Sequence, residues 1–473
     1  LRTIIREDLG FYTSVLVGGV YEFEDAKDDF TKPQFFIGPL KYCIDKHAAL
    51  TVIVRDSNTE RAFYEHVPTI NLNNHIQLVQ DDALGDKELA LDETTKIEQH
   101  FLSIIKVPWS PTCPSWRVVI LPLSASGSSG RSRCLITFVF SHALGDGISG
   151  LAFHHTLLEA FRKSIDGGKS ILHATPDREL SPAFDTSERL PISWSYLLAP
   201  LLGVLLPPWL GNILGLKASV ASNNAGTWTG PPMFVNPNDP AATRIKLLEI
   251  GNADVSKALS VARKHGAKLT AVMHQLIIRA LDKAVPDPNV TNWLSHTAVN
   301  MRPSVGTSDD EMGLFVTGCF HAHPRVSGSS LLSEEDWAAA RLMTEKLAES
   351  ATITHDQPIG LLRYVPSIRK WTVGKIGQQR EGSYDISNLG AFSDVQRDSK
   401  SDRRRCELTK MVFSHSTSPI AEPLVFSAVS VKEGSLVFSV GWVPGGLGLP
   451  EACEDEFVEG ICASVRESFR TLE

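Results

Sequence analysis

The run Cys134-Leu-Ile-Thr-Phe-Val-Phe-Ser141 leaves the fold around it little freedom. Leu135, Thr137, Val139 and Ser141 alternate with Ile136, Phe138 and Phe140, and nearly all are apolar or small. Neither face of such a strand is built for water, so it belongs inside a layered α/β unit. His142-Ala-Leu-Gly-Asp146-Gly147 follows directly, and Ile148 to Phe161 then shows helical periodicity. An imidazole is thus set just past a rigid strand end, with an acid four residues on and a glycine after it. A general base needs a fixed ring, a group that locks its surroundings, and room for a substrate carbonyl. The plain alternative is a loop histidine beside an Asp-Gly turn.

The 473 residues suffice for two or more domains, and 42% apolar against 21% charged content fits a globular protein. A net charge of −8 argues against nucleic acid as the main partner. Arg403-Arg-Arg405 reads as a solvated loop. Seven cysteines with no C-x-x-C pair favour a reduced intracellular protein. No apolar h-region follows Leu1, so no secretory signal is expected.

Residues 1–178 read as one α/β unit. It holds a helix from Pro39 to His47, a strand from Ala49 to Arg55, a helix from Glu93 to Ile105, and the strand Trp116–Leu121. The Gly/Ser-rich connector Ser124–Ser132 suggests that this strand and the motif strand form a hairpin. Residues 179–240 form a crossover in which Trp194–Leu216, 23 residues, carries no charge. Pro200, Pro207 and Pro208 break that stretch into short helical pieces, about 194–206 and 208–215. Packing on the core or lining a hydrophobic tunnel is preferred to lying on a membrane surface, and either to spanning one.

Residues 241–473 read as a second α/β unit. Strands are expected at Arg244–Ile250, Ser295–Met301, Pro423–Val431 and Ser435–Trp442. Helices are expected at Asp254–His265, with Gly266 as a stop, at Ala271–Ala284 capped by Thr270, and at Glu334–Ser350 capped by Ser333 with Asp336. Ser393 to Arg405 reads as a charged loop.

The H-x-x-x-D-G pattern after a buried strand resembles the acyl-CoA-dependent acyltransferases. These include chloramphenicol acetyltransferase, plant BAHD enzymes, peptide-synthetase condensation domains and fungal alcohol acetyltransferases. Ser141 stands where condensation domains usually carry a first histidine. No D-F-G-W-G occurs; Tyr384-Asp-Ile-Ser-Asn-Leu-Gly390 instead resembles the S-N-L-G strand of the fungal branch. Trp116-Arg117 and Trp228-Thr-Gly-Pro-Pro232 resemble further segments of that branch. The resemblance implies two chloramphenicol-acetyltransferase-like α/β sandwich domains with an active-site channel between them. It implies that His142 is the base for O-acyl transfer from an acyl-CoA, most simply acetyl-CoA, to a small-molecule alcohol, with no covalent enzyme intermediate. Acetyl-CoA is then a co-substrate and no cofactor is held permanently.

In that family the motif aspartate points away from substrate and pairs with an arginine of the other half. Val299-Asn-Met-Arg302-Pro303 resembles the segment carrying it, so the expected pair is Asp146 with Arg302. Gly147 is expected to let the chain turn sharply and to bring its N–H near an oxyanion. Ser387 or Asn388 is a candidate donor in the channel, with a strand-end turn as the plain alternative. Lys257, Arg263, Lys264 and Lys268 are the nearest cations for phosphates of coenzyme A.

His321-x-His323 would place two rings on one strand face, but no third ligand is evident and no metal is expected. Of His154 and His155, one should be packed and the other solvated, and His274 should be core. A cytoplasmic monomer is expected, with ER or lipid-droplet membranes as a peripheral location. The rival readings are a carrier-protein-dependent condensation enzyme and a non-catalytic binding module of the same fold.

Overall fold

The computed structural model describes residues 1–24, 30–79, 91–124, 131–168, 170–198, 223–326, 331–393 and 406–473. Two sheets dominate. The first has five strands in the order Cys406–His415, Val15–Phe23, Ser132–Phe140, Trp116–Leu123, Ile76–Leu78. Its pairs are antiparallel except the last. The motif strand Ser132–Phe140 lies in the middle, buried from Cys134 onward, as its apolar run demands. Trp116–Leu123 pairs with it as the expected hairpin.

Strand alternation divides the environment of this sheet. Val17, Tyr21, Ile136 and Phe138 face helices Gln34–Lys46 and Gly147–Lys163. Leu16, Val20, Leu135 and Val139 face helix Glu93–Ile104. That helix is wedged between the halves, since Ile245, Leu247 and Val437 of the second unit complete the same core.

The second sheet has six strands in the order Val316–Pro324, Asn292–Asn300, Tyr384–Phe392, Leu424–Val431, Leu436–Trp442, Arg244–Ile250. Tyr384–Phe392 runs parallel to both its neighbours, and the other pairs are antiparallel. Helices Asn252–Lys264, Leu269–Ala284, Glu334–Ser350 and Glu451–Thr471 supply its core. Gly266, at φ +71°, ends the first of these, and the Ser333–Asp336 capping box starts the third.

The division at 1–178 and 241–473 needs correcting. Strand Cys406–His415 belongs to the second unit in sequence, yet it is the edge strand of the first sheet, paired with Val15–Phe23. Lys410 on this strand bridges Glu93 and Glu249, one from each half, at 2.9 Å each. Other expectations shift locally. The helix read at Pro39–His47 begins at Gln34 and carries Pro39 inside. The strand read at Ala49–Arg55 is a 3-10 turn at Ala48–Thr51 followed by Val52–Arg55. Thr270 does not cap Leu269–Ala284, because the helix starts one residue earlier with Lys268 as its N-cap, and the Thr270 hydroxyl inside the first turn accepts from the Asn388 amide.

Of the uncharged stretch Trp194–Leu216 within the crossover, only 194–198 falls within the described residues, as a short helical piece on which Trp194 is 78% exposed. The helix pieces read beyond it, and the loop read at Ser393–Arg405 apart from Ser393, lie outside them. Among the described residues no helix is long and apolar enough to cross a membrane.

Candidate active site

The loop between Phe140 and Gly147 is fixed at every turn. Ser141 Oγ accepts from the Ala143 N–H at 3.0 Å and donates to the Glu7 carboxylate. The Tyr64 hydroxyl donates to the Ala143 carbonyl at 2.6 Å. Burial, ahead of the Ser141 bond that opposes it, pushes the Glu7 carboxyl up to about 7.

His142 Nδ1 lies 2.7 Å from the Gly145 carbonyl. A carbonyl can only accept, so Nδ1 carries the proton and Nε2 keeps its lone pair. No hydrogen bond to Nε2 forms among the described residues. Burial lowers the His142 pKa to about 4, against the opposing pull of the Gly145 carbonyl. The ordinary histidine value near 6.5 is therefore displaced downward, and the ring is neutral at neutral pH.

Asp146 caps helix Gly147–Lys163, accepting from the Ser149 N–H at 3.1 Å within a capping box. Its two oxygens also meet the Arg302 guanidinium side by side, Nη1 to Oδ2 at 2.8 Å and Nη2 to Oδ1 at 2.9 Å. Arg302 is fully buried and also donates to the carbonyls of Glu311 and Gly313. The Phe315 N–H donates to Asp146 Oδ2 at 3.0 Å, and the Asp146 N–H reaches the Gly313 carbonyl at 3.2 Å. Thus the motif loop is bolted to residues 302–315 of the second half. Asp146 makes no hydrogen bond to His142; it sits one residue beyond the carbonyl that orients the ring.

Gly147 is not in the left-handed region, so the expected sharp turn is not its reason. A Cβ there would lie 2.4 Å from Leu389 Cδ2 and 3.1 Å from Phe413 Cζ. The glycine admits the bulged strand of the second sheet against the first turn of the motif helix.

That strand separates the two remaining candidates. Asn388 Nδ2 donates to Thr270 Oγ1 at 2.9 Å, and its Oδ1 accepts from the Gly390 N–H at 2.9 Å. It faces the helix layer and pins the bulge at which Gly390 takes φ +79°. Asn388 thus makes the bonds of the strand-end turn, the plain alternative. Alternation puts Ser387 on the opposite face with Asp385.

Sequence reasoning missed several neighbours. The Tyr12 ring lies 5.2 Å from His142 and 5.5 Å from His415, which ends the crossing strand. His415 Nδ1 lies 3.0 Å from the Ser416 carbonyl, so it too presents an unprotonated Nε2. His296 and Asp385, register partners on parallel strands, meet at 3.4 Å. No local signal marks Tyr12, His415 or His296, because separate elements bring them together.

The other histidines singled out in the sequence are structural. His154 bonds the Tyr21 hydroxyl and the Val17 carbonyl, and its neighbour His155 stacks on Phe392 at 4.1 Å. His274 lies between Tyr384 and Thr297 in the core. His321 and His323 lie 4.6 Å apart, but they are bonded to Lys346 and Ser295. Lys257, Arg263, Lys264 and Lys268 are all exposed, and Lys257 Nζ bonds the Arg470 carbonyl.

Residues 90–460 match the alcohol acetyltransferase family. The chain is 21% identical to a probable alcohol acetyltransferase of Fusarium pseudograminearum, over 88% of this chain and 81% of that one. It is 23% identical to a probable alcohol acetyltransferase of Aspergillus fumigatus, over 90% and 87%. Among solved structures it resembles a trichothecene 15-O-acetyltransferase of Fusarium sporotrichioides, with TM-score 0.66 and 12% identity over 99% of this chain and 93% of that one. It also resembles the condensation domain of a monacolin K polyketide synthase, with TM-score 0.57 and 11% identity over 100% and 96%. The fold is accordingly that of the two-domain chloramphenicol-acetyltransferase-like enzymes, and the family match over more than half its length makes this chain a member of the alcohol acetyltransferase family.

Proposed function

We propose that the protein transfers an acetyl group from acetyl-CoA to the hydroxyl of a small-molecule alcohol, with His142 as general base. The observation that carries this is the tautomer of His142. Nδ1–H is spent on the Gly145 carbonyl, and burial keeps Nε2 unprotonated and free to take a proton. Nε2 removes the hydroxyl proton as the alcohol oxygen attacks the thioester carbonyl. The C–S bond then breaks, and the thiolate recovers the proton as free CoA leaves. No enzyme nucleophile is needed. The Gly147 N–H, at the first position of the motif helix, is the candidate donor to the oxyanion. Asp146 and Arg302 act on the chemistry only by holding the loop. A secondary-metabolite acceptor is supported by the named relatives, and a cytoplasmic location remains the working expectation.

The test is thiol release from acetyl-CoA across a panel of alcohols and amines, by wild type and His142→Ala. Loss of the base should lower kcat by roughly 100- to 10,000-fold, with an unchanged melting curve. A folded His142→Ala protein that keeps full activity would remove His142 from the mechanism. Turnover only with an acyl-carrier protein would move the donor to the carrier-dependent class.

A further inference from the structure

The His142 ring is held at the Gly145 carbonyl, and its backbone is held on either side. On one side the Ser141 hydroxyl donates to Glu7 and accepts from the Ala143 N–H. On the other the Tyr64 hydroxyl donates to the Ala143 carbonyl at 2.6 Å. Ala143 is 3% exposed, and among the described residues its carbonyl has no other donor. Taking that hydroxyl away leaves a buried carbonyl unpaired, which is costly unless the chain moves. Tyr64 is not there for the core. Strand Phe63–His66 pairs with Val52–Arg55 in a sheet of two, and Phe63, Tyr64 and Glu65 on it are all exposed.

The turn of this hairpin reaches the second half. Glu60 accepts from the Ser367 hydroxyl at 2.7 Å, the Ile368 N–H at 3.1 Å and the Arg369 N–H at 3.0 Å. These donors open helix Ile368–Val373, where a carboxylate matches N–H groups that the helix leaves unpaired. The N-terminal helix Arg2–Asp8 makes the same crossing, since Asp8 pairs with Arg369 while its neighbour Glu7 holds Ser141. Ser57 Oγ donates to Asp8 at 3.3 Å and joins the two routes. Exposed polar bonds of this kind add little to stability, so holding the fold together does not account for them. What the two routes share is their ends: each grips helix Ile368–Val373 at one end and the backbone beside His142 at the other.

We propose that Tyr64 and Glu7 are positioning residues for His142, and that helix Ile368–Val373 of the second half sets them through Glu60 and Asp8. Both roles rest on the acetyl-transfer reading above. The motif loop is then fastened to the second half at both its ends, at Asp146 directly by Arg302 and at Ser141 and Ala143 through these routes. Neither Tyr64 nor Glu7 touches the reacting atoms. Each fixes the place from which Nε2 meets the alcohol.

Tyr64→Phe removes one hydroxyl and keeps the ring. Its kcat should fall roughly 10- to 100-fold, the cost of a base displaced by about 1 Å, while KM for acetyl-CoA stays within about twofold of wild type. Glu60→Ala should lower kcat in the same way by about 3- to 10-fold. Glu60→Gln keeps the Oε1 acceptor of the Ser367 and Arg369 bonds and should restore most of that loss. The double variant Tyr64→Phe, Glu60→Ala should match Tyr64→Phe alone to within about twofold, because the link is already cut. Losses that multiply, or a Tyr64→Phe enzyme with kcat within about twofold of wild type, overturn the proposal. Nitrogen-15 spectra of histidine-labelled protein read the base without turnover, its signals being assigned by their absence from His142→Ala. The His142 signals should move in Tyr64→Phe and, by less and in the same direction, in Glu60→Ala. That shift with no acetyl transfer by any variant supports the positioning and counts against the acetyl-transfer reading alone. Signals that stay at their wild-type positions in folded Tyr64→Phe overturn it.

Discussion

Arg302 and Asp146 give the sharpest test of how the two halves are joined. The pair is bidentate, at 2.8 and 2.9 Å, with side-chain exposures of 0% and 7%. Removing one partner of such a buried pair costs about 3–5 kcal/mol, because the other charge is left in a poor medium. Here Asp146 keeps the Ser149 and Phe315 N–H groups, so the lower end, about 3 kcal/mol, is expected for Arg302→Met. Asp146→Asn retains a good helix cap and loses mainly the charge, and about 3 kcal/mol is expected there too. At roughly 2–4 °C per kcal/mol for units of this size, each variant should melt about 6–12 °C below wild type. The double variant should be less destabilised than the two losses summed, with a coupling of about 2 kcal/mol or more. Urea and thermal unfolding of the four proteins give the cycle. Acetyl transfer measured well below the melting range should fall in both single variants, since the Gly145 carbonyl that orients His142 loses its anchor one residue on. Additive losses, or an Arg302→Met protein melting within about 1 °C of wild type, would refute the reasoning.

Because burial holds the His142 pKa near 4, kcat/KM should stay level from pH 8 down to about 5 in brief assays, and an acid limb centred at 6.5 would contradict that. Stability should behave differently. His154 and His274 are held by burial at about 4 and about 3 in the fold, against about 6.5 when unfolded. The unfolded chain therefore binds more protons across that window, so stability is complete above 6.5 and falls as the pH drops toward 4, which melting curves from pH 7 to 5 should show. Gly147→Ala gains about 1 kcal/mol of helix propensity but forces Leu389 and Phe413 aside, so a net loss of about 1–3 kcal/mol is expected, partly rescued by Leu389→Ala. Asn388→Ala should cost about 1–2 kcal/mol through the Thr270 and Gly390 bonds yet lower kcat by less than about tenfold; a 100-fold loss would restore it as an oxyanion donor.

What the sequence disclosed and what it withheld divide along a physical line. The motif strand, the hairpin with Trp116–Leu123 and the capped helices at Gly147 and Glu334 are written in residues a few positions apart. Arg302 was found only through its resemblance to a family segment, since nothing local distinguishes it from a surface arginine. Thr270 shows how a sound local argument fails: it has the chemistry of a cap, but the helix begins one residue before it, and its hydroxyl serves the amide of Asn388, 118 residues away. Gly147 was singled out correctly for the wrong reason, because its neighbour Leu389 lies on a strand of the other half. The largest omission ties these together. Cys406–His415 leaves its own unit to become the edge of the first sheet, and it delivers Phe413 to Gly147 and His415 to Tyr12. Pairing between strands nearly 400 residues apart leaves no periodicity to read. The crossing that erases a simple domain boundary also brings Phe413 and His415 beside the motif, so the boundary and these neighbours of His142 were hidden by one cause.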